Sequence, residues 1–129
     1  MKEEQISHNS YKWKANYCTA NKITSGKYWQ IGLAEDKYDF ENYILFQKPY
    51  QLNKDEDPEA EHNQIYAETN GSICFNKIES IVITDTVFEA KIDGAIFEID
   101  ITNAKINNRF ITYAQLIFEA KISVKILKP

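Results

Sequence analysis

Acidic side chains are the most concentrated group in this chain that could do chemistry. The segment 53–63, NKDEDPEAEHN, sets five carboxylates against the single Lys54. These carboxylates belong to Asp55, Glu56, Asp57, Glu59 and Glu61. Carboxylate oxygens suit a hard cation such as Ca²⁺, but the segment lacks the ordered Asp-x-Asp-x-Asp-Gly pattern and the distant glutamate of an EF-hand loop. We therefore predict no metal here. Two interpretations stay open: a solvated loop, or an electronegative surface that meets a basic protein partner.

Two glutamates could in principle share a proton. Glu89 and Glu98 lie on either side of Asp93-Gly94, a dipeptide typical of two-residue hairpin turns. Such a turn sets the two carboxylates opposite each other, which would raise the pKa of one of them and could support acid–base chemistry. Lys91 lies diagonally near and would dilute the repulsion. We therefore expect no catalysis from this pair.

Cysteine and histidine are scarce, which limits nucleophilic and metal chemistry. Cys18 and Cys74 are far apart in the sequence, and a zinc site would have to recruit both of them together with His8 and His62. These residues lack the short paired spacing of zinc ligands, so we interpret the cysteines as reduced, half-buried apolar residues. The chain has no Gly-x-Ser-x-Gly elbow, no glycine-rich phosphate loop and no evident histidine partner for either thiol. We expect no catalytic residue, no cofactor and no enzymatic activity.

Aromatic residues crowd the first quarter of the chain. They are Tyr11, Trp13, Tyr17, Tyr28 and Trp29, and we expect them to form the core and rim of a sheet. An exposed subset would suit protein binding, because tyrosine and tryptophan are enriched at interfaces. A small-molecule carrier is an alternative, in which the sheet closes into a cup with Trp13 and Trp29 facing inward.

Length and charge restrict the class of protein. The chain has 129 residues and a net charge of −4, all of which resides in the segment 53–63. We expect one domain over residues 1–129, with a ragged N-terminus at 1–10 and a long acidic loop at 48–64. A single arginine and an acidic balance argue against nucleic-acid binding. Because no apolar run is long enough for a membrane span and the N-terminus is polar, we expect a cytoplasmic protein with no membrane partner.

Period-two alternation of apolar residues predicts a mostly β chain. The predicted strands cover residues 11–17, 28–34, 43–46, 65–69, 78–84, 87–92 and 95–101. Asn70-Gly71 and Asp93-Gly94 are predicted as tight turns. Helical spacing predicts a helix over about residues 107–120, followed by an extended tail, although residues 118–126 also alternate as a strand would. The predicted fold class is α+β, mostly β: an antiparallel sheet of about six to eight strands with one C-terminal helix packed against it.

Short motifs in the middle of the chain resemble a known family. WQIGLA at 29–34, NYILFQK at 42–48, the acidic loop and IYAET at 65–69 follow one another as in bacterial immunity protein family ten of polymorphic toxin systems. Tyr43, Leu45 and Gln47 match a Tyr-Leu-x-Leu-Gln-like strand of that family, while Tyr66 and Glu68 match its Tyr-x-Glu strand. The resemblance covers about residues 28–120 and includes FNKIES at 75–80. The chain departs from the family where Asn-Lys-Ile at 76–78 replaces a Gly-Gly-Ile-like step, and where the tail at 122–126 runs past the expected helix.

The resemblance implies a small cytoplasmic protein that protects its producer by binding a cognate toxin, without catalysis or a cofactor. Asp55, Glu56, Asp57, Glu59 and Glu61 would then contribute to toxin contact, because carboxylates on a projecting loop complement a basic cleft. Two other classes stay open. One is a small-molecule-binding β-rich domain, and the other is a non-catalytic adaptor subunit, for which dimerisation through a sheet edge would be a sign.

Overall fold

The computed structural model describes residues 10–36, 41–50 and 65–125, which form two five-stranded sheets and a helix. The strands are β1 (Ser10–Lys14), β2 (Tyr17–Ile23), β3 (Tyr28–Ala34), β4 (Tyr43–Pro49), β5 (Tyr66–Thr69), β6 (Ser72–Phe75), β7 (Ile78–Thr84), β8 (Val87–Ile92), β9 (Ala95–Asp100) and β10 (Ile122–Lys125). Helix α1 (Asn108–Phe118) precedes β10. The predicted class, a mostly β chain with one C-terminal helix, is confirmed, with ten described strands divided between two sheets.

The first sheet has the order β1-β9-β8-β7-β10. Its centre is an antiparallel meander of β7, β8 and β9. Asp93 and Gly94 turn between β8 and β9 with φ of 48° and 84°, the left-handed values that a type I′ turn requires. The predicted register is confirmed, since Glu89 lies opposite Glu98. The two outer strands are parallel to their neighbours, β1 to β9 and β10 to β7.

The second sheet is an antiparallel meander in the order β2-β3-β4-β5-β6. Asn70 and Gly71 form the turn between β5 and β6, with φ of 49° and 91°, so this predicted turn is also confirmed. The continuous apolar run YILF at 43–46 is typical of a strand that is buried on both sides. Instead, Ile44 and Phe46 are buried, while the alternate side chains of Tyr43 and Leu45 are only half-buried.

Phenylalanine rings fill the space between the sheets and under the helix. Phe46 of the second sheet lies 6.0 Å from Phe88 of the first, measured between ring centroids. Phe118 of the helix meets the Phe46 ring edge-on at 4.8 Å, and Phe110 meets the Phe88 ring edge-on at 6.2 Å. All four side chains are almost fully buried. The core therefore joins both sheets to α1.

Helix α1 begins where the sequence predicts a cap. The Asn107 side-chain oxygen accepts a hydrogen bond from the Phe110 backbone N–H at 2.9 Å, which satisfies one of the free donors of the first turn. Phe110, Ala114, Ile117 and Phe118 form its buried stripe. A single 3₁₀ turn, Glu119–Lys121, links the helix to β10. The C-terminal segment is thus helix first and strand afterwards.

Several strands differ from the sequence prediction. The expected strand at 11–17 is divided at Ala15 and Asn16, because the Ala15 N–H bonds to Asp100 O and the Asn16 N–H bonds to Ala34 O, which moves the chain from one sheet to the other. β6 and, beyond Tyr17, β2 were not predicted. β4 extends to Pro49 and β1 begins at Ser10, so Lys48 and Pro49 were wrongly assigned to the loop expected at 48–64, and Ser10 to the ragged end expected at 1–10.

Within residues 10–36, 41–50 and 65–125, no helix has both the length and the apolar character needed to cross a membrane.

Candidate functional site

The outward side of the second sheet carries most of the large exposed apolar side chains. Tyr17, Ile73 and Phe75 are 45%, 58% and 52% exposed. The alternation of each strand and the pairing between strands place the following outward residues on one surface, which we call the aromatic face: Tyr17, Thr19, Asn21, Gln30, Gly32, Ala34, Tyr43, Leu45, Gln47, Tyr66, Glu68, Ile73 and Phe75. Tyr17 lies on one edge strand and Ile73 and Phe75 on the opposite one, with half-buried outward residues between them.

The outward side of the first sheet is different in character. Its strands alternate charged outward residues with buried apolar ones, and the outward set includes Lys12, Lys14, Glu89, Lys91, Glu98, Asp100, Ser123 and Lys125. Lys12 Nζ lies 3.5 Å from Glu98 Oε1. The Glu89–Glu98 pair therefore belongs to a solvated surface of mixed charge, and this environment does not favour the acid–base chemistry considered above.

Two tyrosines and a glutamate form the polar centre of the aromatic face. Leu45 lies opposite Glu68 in the pairing of β4 with β5, so Tyr43 is diagonal to Glu68, within reach of a long side chain. Tyr43 Oη donates a hydrogen bond to Glu68 Oε2. Tyr66, two residues before Glu68 on the same side of β5, donates from its hydroxyl to Glu68 Oε1 at 2.5 Å. The Gly71 N–H donates to Tyr43 Oη at 3.1 Å, which holds that phenol in place.

These hydrogen bonds fix the protonation states of the cluster. The hydroxyls of Tyr43 and then Tyr66 lower the pKa of Glu68, against a smaller effect of burial. The hydrogen bond from Tyr66 to Glu68 raises the pKa of Tyr66 to about 12. The hydrogen bond from Tyr43 to Glu68 likewise raises the pKa of Tyr43. Glu68 is therefore an anion at neutral pH and both phenols are neutral. A glutamate that acts as a general base near neutral pH needs a raised pKa, so this cluster is suited to binding a ligand rather than to transferring protons.

A groove of about 410 Å³ lies beside the cluster. Its floor is Gly32, which lies in one cross-strand row with Thr19, Leu45 and Glu68. A β-carbon at Gly32 would come within 3.1 Å of Thr19 Oγ1 and 3.4 Å of a Leu45 methyl group. Thr19 and Leu45 therefore pack closely over the glycine, and any larger residue at position 32 would push against them. Tyr17, Tyr43 and other largely apolar residues line its walls.

A second row extends the face away from the groove. Gln47 Nε2 donates to Gln30 Oε1 at 2.7 Å, which pairs the two amides across β3 and β4. The row continues through Tyr66 to Phe75, whose rings meet edge-on with centroids 5.4 Å apart. Amide dipoles and aromatic rings next to one another are typical of protein-binding surfaces.

Five residues of the motifs that carry the family resemblance lie on this surface, while others, such as Ile31, Ile44 and Phe46, are buried in the core. Tyr43, Leu45, Gln47, Tyr66 and Glu68 share the aromatic face, and the structure brings Tyr43, Tyr66 and Glu68 into direct contact. The predicted contact residues Asp55, Glu56, Asp57, Glu59 and Glu61 lie outside the described residues. The segment that contains them connects β4 to β5, so it leaves the sheet from the two strands that carry the Tyr43–Glu68–Tyr66 cluster.

Other predicted residues occupy structural positions. Trp13 and Trp29 are partly buried and pack against the core, where phenylalanines fill the interior that the cup interpretation would leave open. Cys18 and Cys74 are free and half-buried, and burial raises the pKa of both thiols. Among the described residues, no three His, Cys, Asp or Glu side chains come together as a metal site. His8 and His62 lie outside the described residues.

Sequence reasoning missed two features of the molecule. Ile73 and Phe75 were not assigned to a strand, although their alternation after the Asn70-Gly71 turn is a signal for the return strand of a hairpin. Lys48 was not singled out either. It is only 6% exposed, and its ammonium contacts the Glu119 carboxylate at the end of α1.

No protein-family model, curated protein or solved structure matches this chain.

Proposed function

We propose that this chain is an immunity protein that binds a cognate bacterial toxin and neutralises it by protein–protein contact, without catalysis. The observation that carries the proposal is that Tyr43, Leu45, Gln47, Tyr66 and Glu68, five residues of the motifs that resemble the family, lie together on the outward side of one sheet. The buried residues of the same motifs serve the fold, whereas a partner can reach the residues on the outward side.

The dimensions of the aromatic face suit a protein partner. Five strands about 4.8 Å apart and three outward rows about 7 Å apart cover about 500 Å². A standard interface buries about 800 Å² on each partner. The aromatic face would therefore supply more than half of the contact area, and a neighbouring segment would have to supply the rest.

The acidic segment is the proposed source of the remaining contact. It rejoins the sheet at Ile65, three residues before Glu68, which corresponds to about 10 Å along an extended chain. Asp55, Glu56, Asp57, Glu59 and Glu61 would accelerate association with a basic toxin cleft, because surface charges of one sign steer a partner of opposite sign. The proposed site of action is the cytoplasm of the producing cell, with no nucleic-acid or membrane partner.

Growth protection tests the proposal. The toxin encoded by the neighbouring upstream open reading frame is expressed with this chain, and we expect the chain to restore growth and to co-purify with the toxin. Ile73→Asp on the aromatic face should abolish both effects. Ser123→Asp is the matched control, because it adds the same carboxylate to an exposed position on the other sheet. A toxin that kills cells regardless of this chain would overturn the proposal.

The acidic segment has its own measurement. Replacing its five carboxylates by the corresponding amides should slow association with the toxin at low salt and leave dissociation nearly unchanged. The difference in association rate should shrink as salt is added, because exposed charges are screened. An unchanged association rate at low salt would remove these residues from the contact surface.

A small-molecule-binding function is the second candidate, favoured by the groove at Gly32. Its volume of about 410 Å³ falls within the range of about 300–1,000 Å³ that ligand sites occupy. Native mass spectrometry of the purified chain tests this candidate. A stoichiometric bound metabolite that the bulkier Gly32→Val variant loses would support it, while a chain free of small molecules would reject it.

A further inference from the structure

We propose that the groove at Gly32 accepts an arginine side chain of the partner, whose guanidinium pairs with Glu68. This inference rests on the proposed function, since the partner is the toxin, and it names the chemistry that the toxin presents to the aromatic face. Four properties of the groove lead to this inference: its single charge, the unoccupied hydrogen-bond acceptor sites of that carboxylate, its shape, and the apolar surface around it.

Glu68 supplies the only charge among the described residues that line the groove, where the other lining groups are phenol, hydroxyl, backbone and hydrocarbon. Within residues 10–36, 41–50 and 65–125, no lysine or arginine forms an ion pair with it. A partner that covers this groove removes the carboxylate from water. An apolar or acidic side chain would leave that charge buried without compensation, which costs several kcal/mol, so the groove selects a cation.

The carboxylate retains the capacity to bind that cation. An ionised carboxylate offers about four lone-pair sites. Tyr43 donates to one oxygen and Tyr66 to the other, which leaves about one further site on each. Two parallel sites on one carboxylate match the fork of a guanidinium better than the point charge of an ammonium. The two phenols also hold the carboxylate in a fixed orientation before the partner arrives.

The walls of the groove suit a flat cation. Tyr17 and Tyr43 give the groove aromatic walls, and a guanidinium is more weakly hydrated than an ammonium, so it enters such surroundings more readily. The groove over Gly32, about 410 Å³ in volume, has room for the methylene stem. An arginine therefore places its charge at Glu68 and its hydrocarbon stem over the floor.

The surroundings of the groove indicate that the arginine belongs to a protein. Ile73 and Phe75 extend the exposed apolar surface beyond Glu68 on the neighbouring strand, and a free cation in the groove would leave them uncovered. Arginine is also among the residues that contribute most binding energy at protein interfaces. The net charge of −4 on this chain further favours a basic partner.

The first experiment requires no toxin. Backbone amide NMR of this chain is recorded during titration with Nα-acetyl-arginine amide, with the neutral isostere Nα-acetyl-citrulline amide as the matched ligand. We expect saturable shifts at Gly32, Leu45 and Glu68 in the millimolar range with the arginine compound only. Glu68→Gln should abolish these shifts. Equal shifts with the citrulline compound, or no shifts at these three residues, would overturn the proposal.

The second experiment uses the complex. Glu68→Gln should weaken toxin binding roughly 30-fold or more, since removing one member of a covered charge pair leaves the other unpaired. Toxin variants with single arginines replaced by methionine should include one whose effect is no longer additive with Glu68→Gln. If the arginine compound binds but the toxin does not, the site is retained and the proposed function is lost. If the toxin binds Glu68→Gln with unchanged affinity but not Ile73→Asp, the proposed function is retained and the arginine site is overturned.

Discussion

Phe46 is the residue whose truncation tests the architecture most directly, because it touches Phe88 of the first sheet and Phe118 of the helix. Its side chain is 1% exposed. A buried aromatic removes about 150–250 Å² from water, which corresponds to about 4–6 kcal/mol at about 25 cal/mol per Å². Because the unfolded chain already buries part of that area, the measured loss should be smaller. We expect Phe46→Ala to lower the free energy of unfolding by about 4 kcal/mol, within the range for such truncations.

The melting temperature converts this energy into an observable. The 129 residues of the chain imply an unfolding entropy of about 270 cal/mol/K, so a loss of 4 kcal/mol lowers the melting temperature by about 15 °C. Urea unfolding followed by circular dichroism should show an earlier midpoint with an unchanged m-value. Phe46→Leu preserves most of the volume and should lose less than about 1.5 kcal/mol.

Phe75→Ala is the matched control for the ring contact. Phe75 also meets another aromatic ring edge-on, but it is 52% exposed, so its truncation should lower the free energy of unfolding by only about 1 kcal/mol. If Phe46→Ala costs no more than Phe75→Ala, the ring does not lie between the two sheets, and the packing argument is refuted.

Three further predictions concern the cap, the buried lysine and the phenol–carboxylate cluster. Asn107→Ala should lower the free energy of unfolding by about 1 kcal/mol through the lost cap, and Asn107→Asp should restore it in urea titrations. Glu119→Gln should destabilise the fold by about 1–3 kcal/mol, since it leaves the Lys48 ammonium without its carboxylate, whereas an equal or greater cost for Lys48→Met would contradict this explanation. The lowered pKa of Glu68 means that its contribution to stability is complete above the ordinary value of 4.5 and is lost as the pH falls through the lowered value. Tyr66→Phe should raise the pKa of Glu68, as measured by carboxyl-carbon NMR, and an unchanged pKa would show that the hydroxyl does not donate to this carboxylate. With Tyr66 intact, its pKa of about 12 means that its hydrogen bond is retained below its ordinary pKa of 10 and is lost as the pH rises through about 12.

Local physics explains why much of the fold could be predicted from the sequence. Alternation with a period of two places apolar side chains on one side of a strand, and the strands at 28–34, 78–84 and 87–92 agree with the predicted bounds. The Asn70-Gly71 and Asp93-Gly94 turns also follow from local chemistry, because these residue types adopt the positive φ that a two-residue hairpin needs. The register of β8 and β9 then follows from the turn length alone.

The tertiary structure decided which strands share a sheet. β1 and β10 come from opposite ends of the described chain and join the same sheet through parallel pairs, and no nearby turn encodes such a pairing. The apparent continuous strand at 11–17 was wrong for the same reason. Alternation continues across Ala15 and Asn16, while the hydrogen bonds of these two residues go to different sheets.

The candidate site shows the same division. The sequence motifs singled out Tyr43 on one predicted strand and Tyr66 and Glu68 on another, and period-two alternation placed Tyr66 and Glu68 on the same side of theirs. Only the pairing of β4 with β5 brought the three side chains into contact, and only the addition of β3 placed Gly32 beside them as the floor of a groove. The direction of a side chain on a strand is set by the local backbone, so the sequence alone can predict it. Contact across a sheet depends on residues that lie far apart in the sequence, so only the tertiary structure decides it.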